Sequence, residues 1–349
     1  MADTRTNTRQ AEESKARPRL PNLVGSAFIF LILAVLVIAF SILEGTAFLS
    51  GENFLNIAVD ASELLLLAVG VTFVIITAGI DLSVGSILVL SSVIAAQTMV
   101  ALSGTQQQVQ NFTYPNQAVG IPVGIAAGLL VGVVCGLING LLVTKLRLTP
   151  FIATLGTLGI FLGTAQILSG GTNVPYVPPA IQTQIGSRQL LGILPVPIAI
   201  GLVVVIVAIL ALHRTQFGRY TYAIGSNAEA ARRVGIDVDR HLLKVYTLSG
   251  FLAGLAGIID VARFSTASVG AHTLDNLAPI SAAVIGGTSL FGGIGSIVGS
   301  VVGTFIPAVL RNGFVIHGVQ PFWQEVAIGI VLILAVVIDQ RRRSAEERM

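Results

Sequence analysis

The constraint that governs this chain is the recurrence of apolar runs long enough to cross a bilayer. A spanning helix needs about 20 mostly apolar residues, because the hydrocarbon core is about 30 Å thick and each helical residue rises about 1.5 Å. Ten such runs lie near residues 23–43, 57–79, 85–103, 118–143, 151–168, 193–212, 245–263, 278–292, 294–311 and 323–339. The fourth is long enough to tilt and the eighth is short. They predict an all-α polytopic membrane protein of about ten transmembrane helices, some of them short or broken. Composition agrees: 54% of residues are hydrophobic and only 11% charged, against about 25% charged in a soluble domain.

The computed pI of 9.3 raises the question of nucleic acid, and the positions of the 20 Lys and Arg residues answer it. With the N-terminus inside, 17 of them fall on the cytoplasmic side: five before the first span, two at Lys145 and Arg147, six from Arg214 to Lys244 and four from Arg341 to Arg348. Arg188, Arg263 and Arg311 fall on or near the outer side. This bias is the positive-inside pattern and places both termini inside. It reflects topology and not nucleic-acid binding. The basic stretch before the first run resembles a signal peptide, but that run is long enough to span the bilayer. Cys135 is the single cysteine and falls inside the fourth run, which excludes a disulfide framework and a thiolate cluster.

Residues 1–22 form a polar tail in which Pro18 and Pro21 discourage a helix, residues 23–339 a membrane domain, and residues 340–349 a second tail. Two outward segments, 104–117 and 169–192, read as polar connections. The third long segment, 213–244, is cytoplasmic. A faint internal echo pairs Asn139, Gly140, Pro150 and Phe151 with Asn312, Gly313, Pro321 and Phe322. The charge pattern places the two copies on opposite sides, the signature of an inverted-topology repeat.

Glycines and a carboxylate interrupt the apolar pattern from Gly79 to Ser86. Glycine costs about 1 kcal/mol relative to alanine in a helix, and an aspartate at mid-bilayer about 2.5–3.5 kcal/mol. Two readings follow. Asp81 and Ser83 cap the next helix at the cytoplasmic edge, or they take part in gating or coupling. A second glycine-rich stretch holds Gly286, Gly287, Thr288, Ser289, Gly292, Gly293, Gly295, Gly299 and Gly303. Its last three glycines are four apart, which allows close helix contact; helix packing and pathway lining both fit. In the cytoplasmic segment, Asn227 is placed to cap a short helix through Glu229, Ala230, Ala231, Arg232 and Arg233, ended by Gly235. A basic loop serving topology alone would account for the arginines but not for the alanine pair and the glycine.

Glu229, Ala230, Ala231 and Gly235 match the E-A-A-x-x-x-G core of the cytoplasmic loop in importer permeases of the ATP-binding cassette class, without the usual later Leu-Pro. Together with Gly79–Gly85, Asn139–Leu155, Gly218–Gly235 and Ala282–Gly295, they make nearly the whole chain resemble the ribose and xylose permease family. The resemblance implies a non-catalytic permease subunit in a bacterial inner membrane. It implies a second permease copy, identical or paralogous, a cytoplasmic ATPase gripping the loop at Gly218, Arg219, Asn227, Glu229, Ala230, Ala231 and Gly235, and an external protein delivering a monosaccharide. ATP would be used by that partner, with no cofactor or metal held by this chain.

Independent features agree. No lysine follows a glycine, so no phosphate-binding loop of the G-x-x-x-x-G-K type exists and the energy source lies elsewhere. An ion-coupled transporter would place ionisable residues within its spans. Asp81 and Asp260 read as near span ends, and Glu63 reads as interfacial at the outer mouth, a buried pathway carboxylate being the alternative. The four histidines have no ligand spacing and no nucleophile motif accompanies them, which disfavours a membrane enzyme. Sparse intramembrane charge favours a neutral cargo over an amino acid, although relatives that move nucleosides or branched-chain amino acids share the architecture. Candidates to line the route or gate it are Asp81, Ser83, Asn139, Thr154, Thr157, Ser281, Thr288, Ser289 and Asn312; hydrogen bonding between helices is the alternative role.

Overall fold

A computed structural model of the chain describes residues 23–272 and 276–320, and beyond them residues 322–324, 326–327, 329–330, 333 and 337. Among the described residues the α-helices with defined bounds are α1 (Leu23–Glu44), α2 (Gly51–Ile76), α3 (Val84–Ser103), α4 (Gln106–Gln110), α5 (Gln117–Thr144), α6 (Pro150–Ser169), α7 (Val196–Arg214), α8 (Gln216–Ser226), α9 (Ala228–Arg233), α10 (Val238–Phe264), α11 (Ala278–Ile285) and α12 (Ile297–Ile316). Among the described residues, eight are long and apolar enough to cross a membrane: α1, α2, α3, α5, α6, α7, α10 and α12. The expected tenth span and both tails lie largely or wholly outside the described residues.

The expected eighth span, 278–292, is shorter still. It is the eight-residue helix α11, started by Pro279, followed by an irregular turn from Gly286. The chain reverses there: a Cβ on Gly286 or Gly299 would strike the other's backbone, and Gly303 meets the Ala282 carbonyl. α11 and α12 therefore form a tight hairpin in which only α12 is long enough to span. Residues 104–117 and 169–192 carry short regular elements. Thr105 and Gln108 cap α4 reciprocally, and residues 169–192 contain a π-helical turn (Gln182–Gly186) and β1 (Gln189–Leu190), which pairs with β2 (Leu194–Pro195).

The centre of the bundle is α2, α3 and α10, buried along most of their lengths. A stripe of glycines at four-residue steps lets α5 pack closely on α3 and α10. Gly120, Gly124 and Gly128 face Ser103, Met99 and Ala95 of α3, and Gly132, Gly136 and Gly140 face Gly254, Gly250 and Leu243 of α10. Both pairings are antiparallel. A Cβ on Gly132 would stand 2.5 Å from the Gly250 carbonyl oxygen, so backbones touch here as small-residue membrane interfaces allow. α1, α6 and α7 are peripheral and expose Ile42, Leu43, Ile152, Ile160, Val203 and Val207, an apolar surface suited to lipid. The two ends differ in charge. Lys145, Arg147, Arg214, Arg219, Arg232 and Arg233 mark one end, called basic below, with α8 and α9; Asp60, Glu63, Asp260 and Arg263 lie at the other.

Candidate transport pathway

α2 ends at Ile76, and the backbone stays unwound until Val84. Ala78 has a positive φ of 61°, and a Cβ on Gly79 would stand 2.7 Å from the Tyr246 hydroxyl, so the break is packed tightly. Asp81 sits inside it with no exposed surface. Its Oδ1 accepts from the Ser83 amide at 3.0 Å and hydroxyl at 2.7 Å, and its Oδ2 accepts from Ser249 Oγ at 3.0 Å. Ser83 Oγ in turn accepts from Asn139 Nδ2 at 2.7 Å, and Asn139 Oδ1 accepts from Thr157 Oγ1 at 2.7 Å. Thr154 Oγ1 lies 2.9 Å from the Pro150 carbonyl and 3.2 Å from that of Ile80. Three donors around one carboxylate offset the cost of removing it from water.

This geometry corrects the capping reading. Ser83 occupies the N-cap position of α3 but makes no side-chain cap bond. Its hydroxyl is spent between Asp81 and Asn139, and the site is wholly buried where α3, α5, α6 and α10 meet. Asp81, Ser83, Asn139, Thr154 and Thr157 are thus brought together.

The other four candidates lie elsewhere. Thr288 and Ser289 belong to the turn after α11, where Thr288 Oγ1 is buried with no hydrogen-bond partner among the described residues and Ser289 Oγ accepts from the Phe291 amide. That turn contacts the break: the Gly293 amide donates to the Ile76 carbonyl at 2.9 Å, and Tyr222 of α8 donates to the Gly295 carbonyl at 2.8 Å. Asn312 exchanges amide bonds with Asn53 at 2.9 and 3.0 Å, at the end opposite Asn139. The two halves of the internal echo therefore occupy opposite ends, as an inverted repeat requires; Pro321 lies outside the described residues. Ser281 lines a cavity, with its hydroxyl turned to the Leu277 carbonyl.

That cavity, of about 680 Å³, opens between α2, α10, α11 and α12 at the non-basic end. Leu67, Leu88, Ala278 and Pro307 supply apolar wall, and Asp60, Glu63, Asp260, Arg263, His272 and Arg311 supply charge and polarity. Arg263 Nη1 binds Glu63 Oε1 at 2.7 Å and its Nη2 binds Asp60. Asp260 Oδ1 lies 3.1 Å from His272 Nε2. Glu63 is only 8% exposed and forms part of the cavity wall, in keeping with the alternative reading of a buried carboxylate. Reading residues one by one missed this group. The signal was three-residue spacing on two helices: Asp60 and Glu63 on α2, Asp260 and Arg263 on α10, each pair sharing a face.

At the basic end, Asn227 Oδ1 accepts from the Ala230 amide at 2.9 Å and starts α9, and Gly235, at φ +86°, ends it. Ala231 is buried against Ile224 and Val238, while Glu229 and Arg233 pair on the open face at 2.5 Å. Gly218 is held against the Leu212 backbone, where no side chain fits, and Arg219 is exposed. Gly225 lies equally close to the Ile76 carbonyl. α8 therefore abuts the same break that carries Asp81.

Comparison with known proteins agrees with this arrangement. Residues 53–336 match the family model described as branched-chain amino acid transport system / permease component. The chain is 40% identical to a ribose import permease protein of Bacillus subtilis (strain 168), over 96% of this chain and 99% of the relative. It is 38% identical to a D-allose transport system permease protein of Escherichia coli (strain K12), covering 89% and 90%, and 36% identical to a fructose import permease protein of Rhizobium meliloti, covering 89% and 84%. No solved structure matches the chain. A match spanning most of the chain, on a bundle of lipid-facing helices around a cavity, shows that this protein belongs to the family of transport-system permease components.

Proposed function

We propose that the chain is the membrane subunit of an ATP-binding cassette importer that carries a small neutral monosaccharide inward across a bacterial inner membrane, with both termini in the cytoplasm. The names of its relatives support a sugar cargo. The observation that carries the mechanism is the continuous contact from α8, through the break at residues 76–85, to the cavity. Gly225 and Gly293 press on Ile76 at one side of the break. On the other, the Gly85 amide donates at 3.1 Å to Asn276 Oδ1, next to cavity residues Leu277 and Ala278. In this reading an external binding protein delivers the sugar to the cavity, and a second permease copy completes the passage. A cytoplasmic ATPase grips the surface around Gly218, Arg219, Asn227, Glu229, Ala230, Ala231 and Gly235. Its closure moves α8 and α9, and the break transmits that movement to the cavity wall as alternating access. ATP is bound by the partner; this chain has no phosphate-binding loop. Asp81, Ser83, Asn139, Thr154 and Thr157 tie the four helices that must move together, and Thr288 and Ser289 set the turn against which α8 rests.

The test is uptake of labelled neutral monosaccharides by cells with and without the gene, repeated with a proton uncoupler while ATP is maintained. Gene-dependent uptake of a pentose or hexose that survives the uncoupler is expected. Uptake abolished by the uncoupler would instead mean an ion-coupled transporter. Absence of sugar uptake would shift the cargo to nucleosides or to branched-chain amino acids, which the family description names.

A further inference from the structure

Two helices and the segment after α10 bring three metal-ligating side chains to one corner of the cavity: Glu63 from α2, Asp260 from α10, and His272. One donor atom from each lies within 4.8 Å of the other two. Zinc bonds of about 2.0–2.2 Å hold tetrahedral ligands about 3.3–3.6 Å apart, so donors within 4.8 Å of one another converge on a single ion after small side-chain shifts.

Asp260 is the residue that calls for a ligand. It is only 2% exposed, its Oδ1 faces His272 Nε2, and its Oδ2 is buried with no hydrogen-bond partner among the described residues. Buried carboxylate oxygens are normally satisfied. Arg263 is committed to Glu63 and Asp60. Among the described lining residues, Asp60, Glu63 and Asp260 outnumber Arg263 and Arg311. A sugar hydroxyl cannot approach an oxygen with almost no exposed surface, whereas an ion seated between the three residues takes a carboxylate oxygen of Asp260 as a ligand.

We propose that Glu63, Asp260 and His272 form a zinc site in the cavity wall. One imidazole and two carboxylates are a donor set suited to zinc, which needs three protein ligands and accepts water or another small ligand in a fourth position. The ion ties α2, α10 and the segment bearing His272 to one another and adds a partner to Asp260 besides its contact with His272. The site stands independently of which sugar is carried.

The experiment uses the full chain purified in detergent with a tag free of histidine, stripped with a chelator, loaded with zinc chloride and passed over a desalting column. One zinc per chain is expected by elemental analysis, and H272Q and D260N are each expected to lose it while eluting at the wild-type position on size exclusion. X-ray absorption on the zinc-loaded wild type gives a reading that no variant's folding can disturb: one imidazole with oxygen donors and no sulfur. A chain that holds no zinc, variants that both retain it, or a spectrum showing two or more imidazoles would each overturn the proposal.

Discussion

At the scale of single residues, the two buried acidic sites make different demands. Asp81 is held by donors alone, so replacing it unbalances a network and not an ion pair. Asp81→Asn keeps the volume but puts an amide donor against hydroxyl and amide donors. It is expected to cost about 1–3 kcal/mol, the range for leaving a buried hydrogen-bonding group unmatched, read as a lower unfolding temperature of the detergent-solubilised protein. Arg263 is different, because it is the cation facing Glu63. Arg263→Met leaves that buried carboxylate unpaired, and removing one partner of a buried pair costs about 3–5 kcal/mol. Adding Glu63→Gln to Arg263→Met is expected to recover a large part of the loss, since the stranded charge goes with it; no recovery in thermal unfolding would mean that the pair is not coupled. Asp60, half exposed, contributes less. The charge rule placed Arg263 at the outer side, but only the packing of α2 on α10 shows what it faces.

At the scale of elements, α5 and α9 are the informative cases. The glycine stripe of α5 works by absence of side chain. Gly136→Leu forces a side chain between α5 and the backbone of α10 at Tyr246 and Gly250. Overpacking of this kind costs about 1–3 kcal/mol or more, and the expected result is a large fall in folded protein recovered from the membrane. Gly156→Leu, where nothing lies within 4 Å of the added carbon, serves as the tolerated comparison. α9 is six residues long and depends on its cap and on one buried methyl group. Asn227→Ala removes the cap, worth about 1 kcal/mol. Ala231→Asp buries a charge against Ile224 and Val238 and is expected to displace the helix. Under the proposed coupling role, sugar-stimulated ATPase activity of the assembled transporter falls at least about tenfold in Ala231→Asp; full stimulation would sink that role.

At the scale of the whole molecule, a belt of exposed Ile, Leu and Val surrounds the bundle, and the two ends carry unlike charge. The proposed orientation is open to direct test in a Cys135→Ser background. A cysteine at Arg188 is expected to react with a membrane-impermeant maleimide in intact cells, and one at Glu229 only after permeabilisation; the reverse pattern would invert the topology. A cysteine at Val203, 60% exposed and flanked by apolar neighbours, is expected to resist labelling from either side.

Apolar runs, basic clusters, the cap at Asn227 and the glycine at 235 were legible in order along the chain, because each is set by local chemistry: hydrocarbon thickness, the inward bias of positive charge, an amide donor needing an acceptor, a positive φ. The family resemblance was legible for the same reason, since its motifs are contiguous. What the tertiary structure alone decided was which distant residues meet. Ser83 reads as a cap until α5, α6 and α10 close over the break and Asp81 and Asn139 take its hydroxyl. Glu63 reads as interfacial until Arg263, two hundred positions away, folds against it. Helical periodicity reports the face a residue occupies but not the partner opposite that face. Close glycine contacts bring those partners within hydrogen-bonding distance, and so assemble the buried network and the cavity.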